Sequence, residues 1–225
     1  MSTDLESRQA QAWKALGHVL DPELDRPIVE LGFVTAVEVE GDDVRVALRL
    51  PTFWCAPNFT WMMAVDAREA LDTLPWVGAV NVELVDHHAD DQISASVGRG
   101  RSFEEAFAGE ADGDLRELRR TFRRKAFMAR QDRLLAGATP EAAAEMTLDD
   151  LPDSDDARAF LRARRELGLG DSSDDPVLTD PEGEMVSDFE AYRRRIQLVR
   201  LSLEGNAALC RGLLAARYAS GGDDA

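Results

Sequence analysis

The sequence predicts an α+β protein, a small α-β-β-α-β two-layer sandwich followed by an all-helical C-terminal region. Three observations predict it. Two apolar, β-branched runs, Phe33 to Val39 and Val44 to Leu50, flank the turn-forming residues Glu40-Gly41-Asp42-Asp43, which reads as a hairpin. Helical patterns precede and follow that hairpin, and another alternating run, Val77 to Val85, comes after the second of them. From Ser102 onward the extended signal shrinks to Pro176-Val177-Leu178, while apolar residues recur at helical spacing.

Each element has its own warrant. Leu5 to Leu20 reads as the first helix, with Leu5, Ala12, Leu16 and Val19 or Leu20 on one side. Asp21-Pro22-Glu23 stops it, because Pro22 disfavours a helical Asp21. Asn58 to Leu71 reads as the second helix, starting at Pro57 or Asn58. Val77 to Val85 is the third strand, with Val80, Val82 and Leu84 on one face, and is expected to return beside the first strand of the hairpin. Asp114 to Leu135 is a helix with Leu115, Leu118, Phe122, Ala126 and Ala129 in register. Thr139 caps the next, with Pro140 at its first position. Asp155 to Leu167 is another, ending at Gly168. Gly170 to Glu184 is a loop rich in Asp, Ser and Pro. Ser187 to Tyr218 is the longest helix, and its stripe Phe189, Tyr192, Ile196, Val199, Leu203, Ala207, Cys210 and Leu214 must be buried against other helices or a partner. Gly205-Asn206 weakens it, and the tail from Ser220 to Ala225 is expected to fray. The change of character near residue 100 divides the chain into 1–98 and 99–225.

Composition narrows the function. A chain of 225 residues with 44% hydrophobic content can build a sizeable core. A net charge of −17 repels phosphate backbones and anionic membranes. No apolar run is long enough to span a bilayer. The polar, acidic start from Met1 to Gln11 is unlike a secretory leader. Two distant cysteines make no disulfide framework, so a cytoplasmic protein with reduced thiols is expected. Phosphate-binding glycine loops, GxSxG, HExxH and the Glu-x-x-His pairs of di-iron bundles are missing from the sequence, which argues against a self-contained hydrolase, kinase or oxygenase.

One of the cysteines is placed for chemistry. Cys55, in Leu50-Pro51-Thr52-Phe53-Trp54-Cys55-Ala56-Pro57-Asn58, sits where a strand ends and a helix begins. The helix dipole and unpaired N–H groups there favour the thiolate, the form that binds metal or attacks an electrophile. The plainer reading is a small buried hydrophobe, which is the reading given to Cys210. Asp21 and Glu23 are a turn with local hydrogen bonds or carboxylates that serve the site. Asp86-His87-His88 reads most simply as a solvated loop, with at most one histidine joining Cys55. Phe53, Trp54, Phe59, Trp61, Met62 and Met63 crowd around Cys55 as core or as a docking surface, since one helix face cannot take all of them inward. The basic cluster Arg119 to Lys125 reads as a solvated helix face pairing with Glu117 and its neighbours.

The first ninety residues resemble the MIP18-like family, also called DUF59, of iron–sulfur assembly and metal-cluster maturation factors. The resemblance lies in Asp21-Pro22-Glu23-Leu24 after the first helix, in Ile28-Val29-Glu30-Leu31-Gly32-Phe33-Val34 leading into the hairpin, and in Leu48-Arg49-Leu50-Pro51-Thr52 with a cysteine and a proline close behind. A helix carrying Val65, Arg68, Glu69, Ala70 and Leu71 follows. The resemblance implies the same sandwich fold, a reactive Cys55 and an Asp21–Glu23 loop near it. Ala56 between Cys55 and Pro57 departs from the family pattern, as do the bulky Phe53-Trp54.

The expected function is thus a non-catalytic metal-centre maturation factor. It would carry iron or an iron–sulfur cluster transiently and deliver it to a client metalloenzyme, by family analogy a bacterial multicomponent oxygenase. Cys55 is the reactive thiolate, and Cys55, Thr52, Asn58, Asp21 and Glu23 form the candidate cofactor-binding set. His87 joins Cys55 as a candidate metal ligand, and Phe53, Trp54, Phe59 and Trp61 are the candidate docking residues. Expected partners are the client or an assembly protein, with a homodimer as an alternative and no nucleic acid or membrane. A pure interaction module and a thiol redox protein are the other readings.

Overall fold

In the computed structural model of the chain, which describes residues 2–108 and 115–218, the elements run α1 (Ser2–Leu16), β1 (Leu20–Asp21), β2 (Arg26–Pro27), β3 (Val34–Glu40), β4 (Asp43–Arg49), α2 (Pro57–Asp72), β5 (Ala79–Val85), α3 (Asp90–Gly98), α4 (Phe103–Ala106), α5 (Leu115–Leu134), α6 (Pro140–Glu145), α7 (Asp155–Leu167) and α8 (Phe189–Tyr218). A single 3-10 turn, Leu148–Asp150, lies between α6 and α7. The chain divides into two compact units, one of Met1–Leu115 with Asn206–Ala225 and one of Arg116–Gly205. The expected frayed tail from residue 220 and the expected helix start at Asp114 lie outside the described residues.

The first unit is the α+β part. β3 and β4 form the hairpin around Gly41, whose φ of +64° suits a residue without Cβ. A register shift between Val34 and Ala36 lets both Val34 and Val37 face the core. β4 then pairs with β5 in parallel, so the sheet order is β3-β4-β5. This corrects the expectation that the third strand lies beside the first strand of the hairpin. α2 carries the chain back along the sheet, and β5 takes the free edge of β4, where Gly78 N–H donates to Asp42 O at 2.7 Å. On the side of β3, Gln9 of α1 donates to Val37 O at 2.8 Å.

α1 ends at Leu16, not Leu20, because Gly17 supports the helix poorly and the chain turns there. Leu20-Asp21 is then extended and pairs with Arg26-Pro27. α3 was not expected from the sequence. Ile93 and Val97 bury one side of it, and Arg68 of α2 donates to Val97 O at its end. With α1, α3 and the sheet around it, α2 buries the consecutive residues Thr60 to Ala64. Trp61, Met62 and Met63 are all buried, whereas Trp54 and Phe53 ahead of the helix are exposed, so the crowded set does not all turn inward. The outer face of the sheet is wet, with Arg45 between Glu38 and Glu83 at 3.6 and 3.5 Å.

The second unit is helical. Phe127 of α5 stacks on Phe160 of α7, ring centres 5.2 Å apart, among Leu178, Val177 and Ile196. The extended piece at Pro176 is held by isolated bridges, Thr147 to Pro176 and Thr179 to Met185. Buried Gln131 ties it down by donating to Val177 O and Thr179 O at 2.7 and 2.9 Å, and the Tyr192 hydroxyl donates to Gln131 Oε1 at 2.8 Å. α7 starts at its Ser154 cap and ends at Gly168 in the left-handed region. In the arginine cluster, Arg123 and Arg124 pair with Glu166 and Glu182 at 3.5 and 2.9 Å, and Lys125 lies over Phe122. Among the described residues, no helix is long and apolar enough to cross a membrane.

Candidate functional site

The loop between β4 and α2 carries the cysteine. A tight turn from Thr52 to Cys55 ends β4, with Cys55 N–H on Thr52 O at 3.4 Å. Ala56 is the N-cap of α2 and Pro57 takes the first helical turn, where a missing N–H costs nothing. Cys55 therefore stands just ahead of the helix, half-buried and free. Its Sγ lies 3.3 Å from Thr52 Oγ1. Asn58 turns its side chain to its own backbone, with Oδ1 accepting from Phe59 N–H at 2.8 Å.

The segment after β5 braces this loop. Asp86 ends β5 with a φ of +61°, a conformation that aspartate tolerates better than most residues. This turn sends His87 inward, to 1% exposure. Ala89 N–H donates to His87 Nδ1 at 3.1 Å, so the neutral ring carries its proton on Nε2 and donates to Cys55 O at 2.8 Å. Burial, the largest cause, holds the His87 pKa below 6.5, against the opposing pull of the Cys55 carbonyl. Asp86-His87-His88 is thus not a wholly solvated loop. His87 positions the backbone of Cys55, and both its ring nitrogens are engaged. His88 N–H donates to Phe53 O at 3.0 Å and anchors the other side of the turn.

The aromatic residues divide. Trp54 is 74% exposed and Phe53 39%. They meet edge to face at 5.0 Å, and the Trp54 ring lies 5.2 Å from that of His88. Trp61 is 4% exposed and packs edge-on against Phe103 and Phe107, so it belongs to the core and offers no surface to a partner. Phe59 is half-buried.

Asp21 is 6% exposed, and its Oδ1 accepts from Glu23 N–H and Leu24 N–H at 2.8 and 2.9 Å. Those are the turn bonds expected of an Asp-Pro turn. Burial nevertheless pushes the Asp21 carboxyl up to about 6. Among the described residues, no group of three or more His, Cys, Asp or Glu is arranged to hold a metal ion.

Cys55 thus stands half-buried between β4 and the start of α2, at the beginning of the crossover to β5. Residues 9–84 match the family model described as iron–sulfur cluster assembly protein. This is the MIP18-like, or DUF59, domain. No curated protein matches the chain. The match covers this part of the chain alone and supports a general role in iron–sulfur cluster assembly. The match runs from α1 to Leu84 in β5, so it takes in Asp21, Thr52, Cys55 and all of α2. It stops just short of Asp86 and His87, and sequence reasoning did not give His87 its bracing role. The available signal was an Asp-His pair directly after an apolar strand, which is too common to single out.

Proposed function

We propose that the chain is a cytoplasmic maturation factor that carries iron or an iron–sulfur cluster on Cys55 and passes it to a client metalloenzyme. The observation that carries this reading is a free, half-buried Cys55 held at the head of α2 by Thr52 and His87 within an iron–sulfur assembly domain. The cluster is cargo. Its sulfur ligand is the thiolate of Cys55, to which the Thr52 hydroxyl donates once the thiol proton has left. In this reading Asn58, Asp21 and Glu23 complete the cofactor-binding set with Thr52. A single thiolate leaves most metal positions to outside ligands, so handover is an exchange of ligands with the client and needs no turnover of a small substrate. The client of this reading is a bacterial multicomponent oxygenase.

Phe53 and Trp54 are the docking residues of this reading, with Phe59 beside them. Their exposed rings stand next to Cys55 in the chain, so a partner that covers them closes over the sulfur. Residues 1–98 carry the assembly domain, and residues 99–225 recognise the client.

The test is anaerobic reconstitution with iron and sulfide, comparing wild type with Cys55→Ser. Wild type is expected to gain visible absorption and protein-bound iron, and Cys55→Ser to lose both. Absence of iron from both proteins would overturn carriage and leave a pure interaction module.

A further inference from the structure

The side of α8 opposite its buried stripe is apolar as well. Leu198 and Leu209 are 68% and 61% exposed, and Leu201 and Leu213 stand in water too. These leucines make up half of the large hydrophobic side chains exposed among the described residues. By helical spacing Leu198, Leu201, Gly205, Leu209, Gly212 and Ala216 share one band, turned away from the buried Ile196, Leu203 and Ala207. Gly205 and Gly212 are open gaps in that band, because a Cβ on either would meet no atom within 4 Å. Between Leu198 and Ala216 the helix carries charge only at Arg200, Glu204 and Arg211, and all of these fall outside the band. Arg200 is turned to Asp132 and Glu204, at 2.6 and 2.8 Å. A helix that is apolar on two sides has found a partner for one of them only.

We propose that this face of α8 is a self-association surface, on which a second copy of the chain packs antiparallel with Leu209 set over the Gly205 gap. A net charge of −17 makes two copies repel wherever acids face each other, and this band is free of charge, so a second copy closes on it without that penalty. The band is also self-complementary. When two α8 helices run antiparallel with their Ala207 residues level, Leu209 of each stands opposite Gly205 of the other. Leu198 then stands opposite Ala216, and Leu201 opposite Leu213. Large side chains meet small ones, or each other, across a twofold axis. In a parallel pair every residue would meet its own counterpart, leucine on leucine and gap on gap. The ends match in charge as well. Arg194 and Arg195 are exposed one turn before the band, and the antiparallel pairing brings them beside the C-terminal end of the other α8, where the helix carbonyls are negative. The pairing is independent of iron carriage and needs neither cysteine.

The experiment uses the full chain, reduced so that no disulfide links two copies, in sedimentation equilibrium from about 1 to about 100 μM. Wild type is expected to pass from the mass of one chain to twice that mass. Leu209→Asp puts a charge into the contact and should weaken pairing at least about a hundredfold. Gly205→Met fills the gap and should weaken pairing at least about tenfold. It should leave the chain itself no less stable to urea, since methionine is the better helix former. Circular dichroism confirms that each variant is folded. Mixing tests the direction. Leu201→Glu and Leu213→Lys should each be monomeric alone and pair when combined, because only the antiparallel arrangement puts residue 201 opposite residue 213. A wild type that stays monomeric at every concentration would overturn the pairing and leave the face to another protein. A dimer that withstands both Leu209→Asp and Gly205→Met would overturn this face as its seat. Failure of the mixed variants to pair would overturn the antiparallel arrangement.

Discussion

Asp21 is a carboxylate held out of water, and its turn bonds do not fully compensate. Two backbone N–H groups stabilise the anion, yet burial outweighs them and leaves the group near 6 instead of 3.8. An acid with a higher pKa in the folded chain than in the unfolded chain holds its proton more tightly when folded. The stability it contributes is complete below 3.8 and is lost as pH rises through about 6. Asparagine keeps an Oδ1 acceptor for both N–H groups and carries no charge at any pH. Asp21→Asn is therefore expected to raise the metal-free stability at pH 8 by about 2–3 kcal/mol, roughly the cost of that shift. The gain should vanish at pH below 3.8. Urea denaturation at both pH values checks this, and an equal effect at the two would mean that the Asp21 charge is not what limits the fold.

At the scale of elements, α2 shows where a sequence can be read and where it cannot. The hairpin was legible because alternation and a Gly-Asp turn are local, and α7 because Gly168 marks its end. Trp61 was not legible, since the helix and rings that cover it come from later in the chain. α3 is short and opens on Asp90-Asp91, so its few apolar residues gave little period to detect, and Phe103 and Phe107 are brought to Trp61 only by tertiary packing. The strand order hid for the same reason, because both outer edges of the hairpin looked equally open. In the site, Cys55 was marked by its place between strand and helix, whereas the burial of His87 depends on the unusual backbone of Asp86. Two tryptophans seven residues apart are consequently expected to behave differently. Trp61→Ala removes a core ring and should cost about 3–5 kcal/mol in denaturant unfolding. Trp54→Ala should cost less than about 0.5 kcal/mol, as exposed substitutions do. In the docking reading, Trp54→Ala instead lowers transfer of iron to the client while leaving reconstitution of the chain itself intact. Equal losses of stability would remove Trp54 from the surface and from that role.

At the scale of the whole molecule, the chain is not cut into its compact units at one point. The second unit is a single stretch, Arg116–Gly205, while the first is completed by residues from Asn206 onward. α8 runs through that boundary, and the stripe seen in the sequence serves both cores in turn, Phe189, Tyr192 and Ile196 in the second and Ala207 in the first. The stripe was legible; the change of core along it was not, because helical spacing says which side is buried but not against what. The first unit therefore depends on the end of the chain. Truncation after Gly205 removes the burial of Ala207, Cys210 and Leu214 and the bonds of Arg217 and Tyr218 to Asp86. The expected loss is on the order of 2–4 kcal/mol, confined to the first unit. Hydrogen exchange locates it. Amides of β4, β5 and the segment from Asp86 to Ala89 should lose protection, while those of α7 and of α5 around Phe127 should keep theirs. The same truncation should also free the Asp86 brace and speed alkylation of Cys55. Unchanged protection of β5 would show that the last turns of α8 only rest on the first unit and do not hold it together.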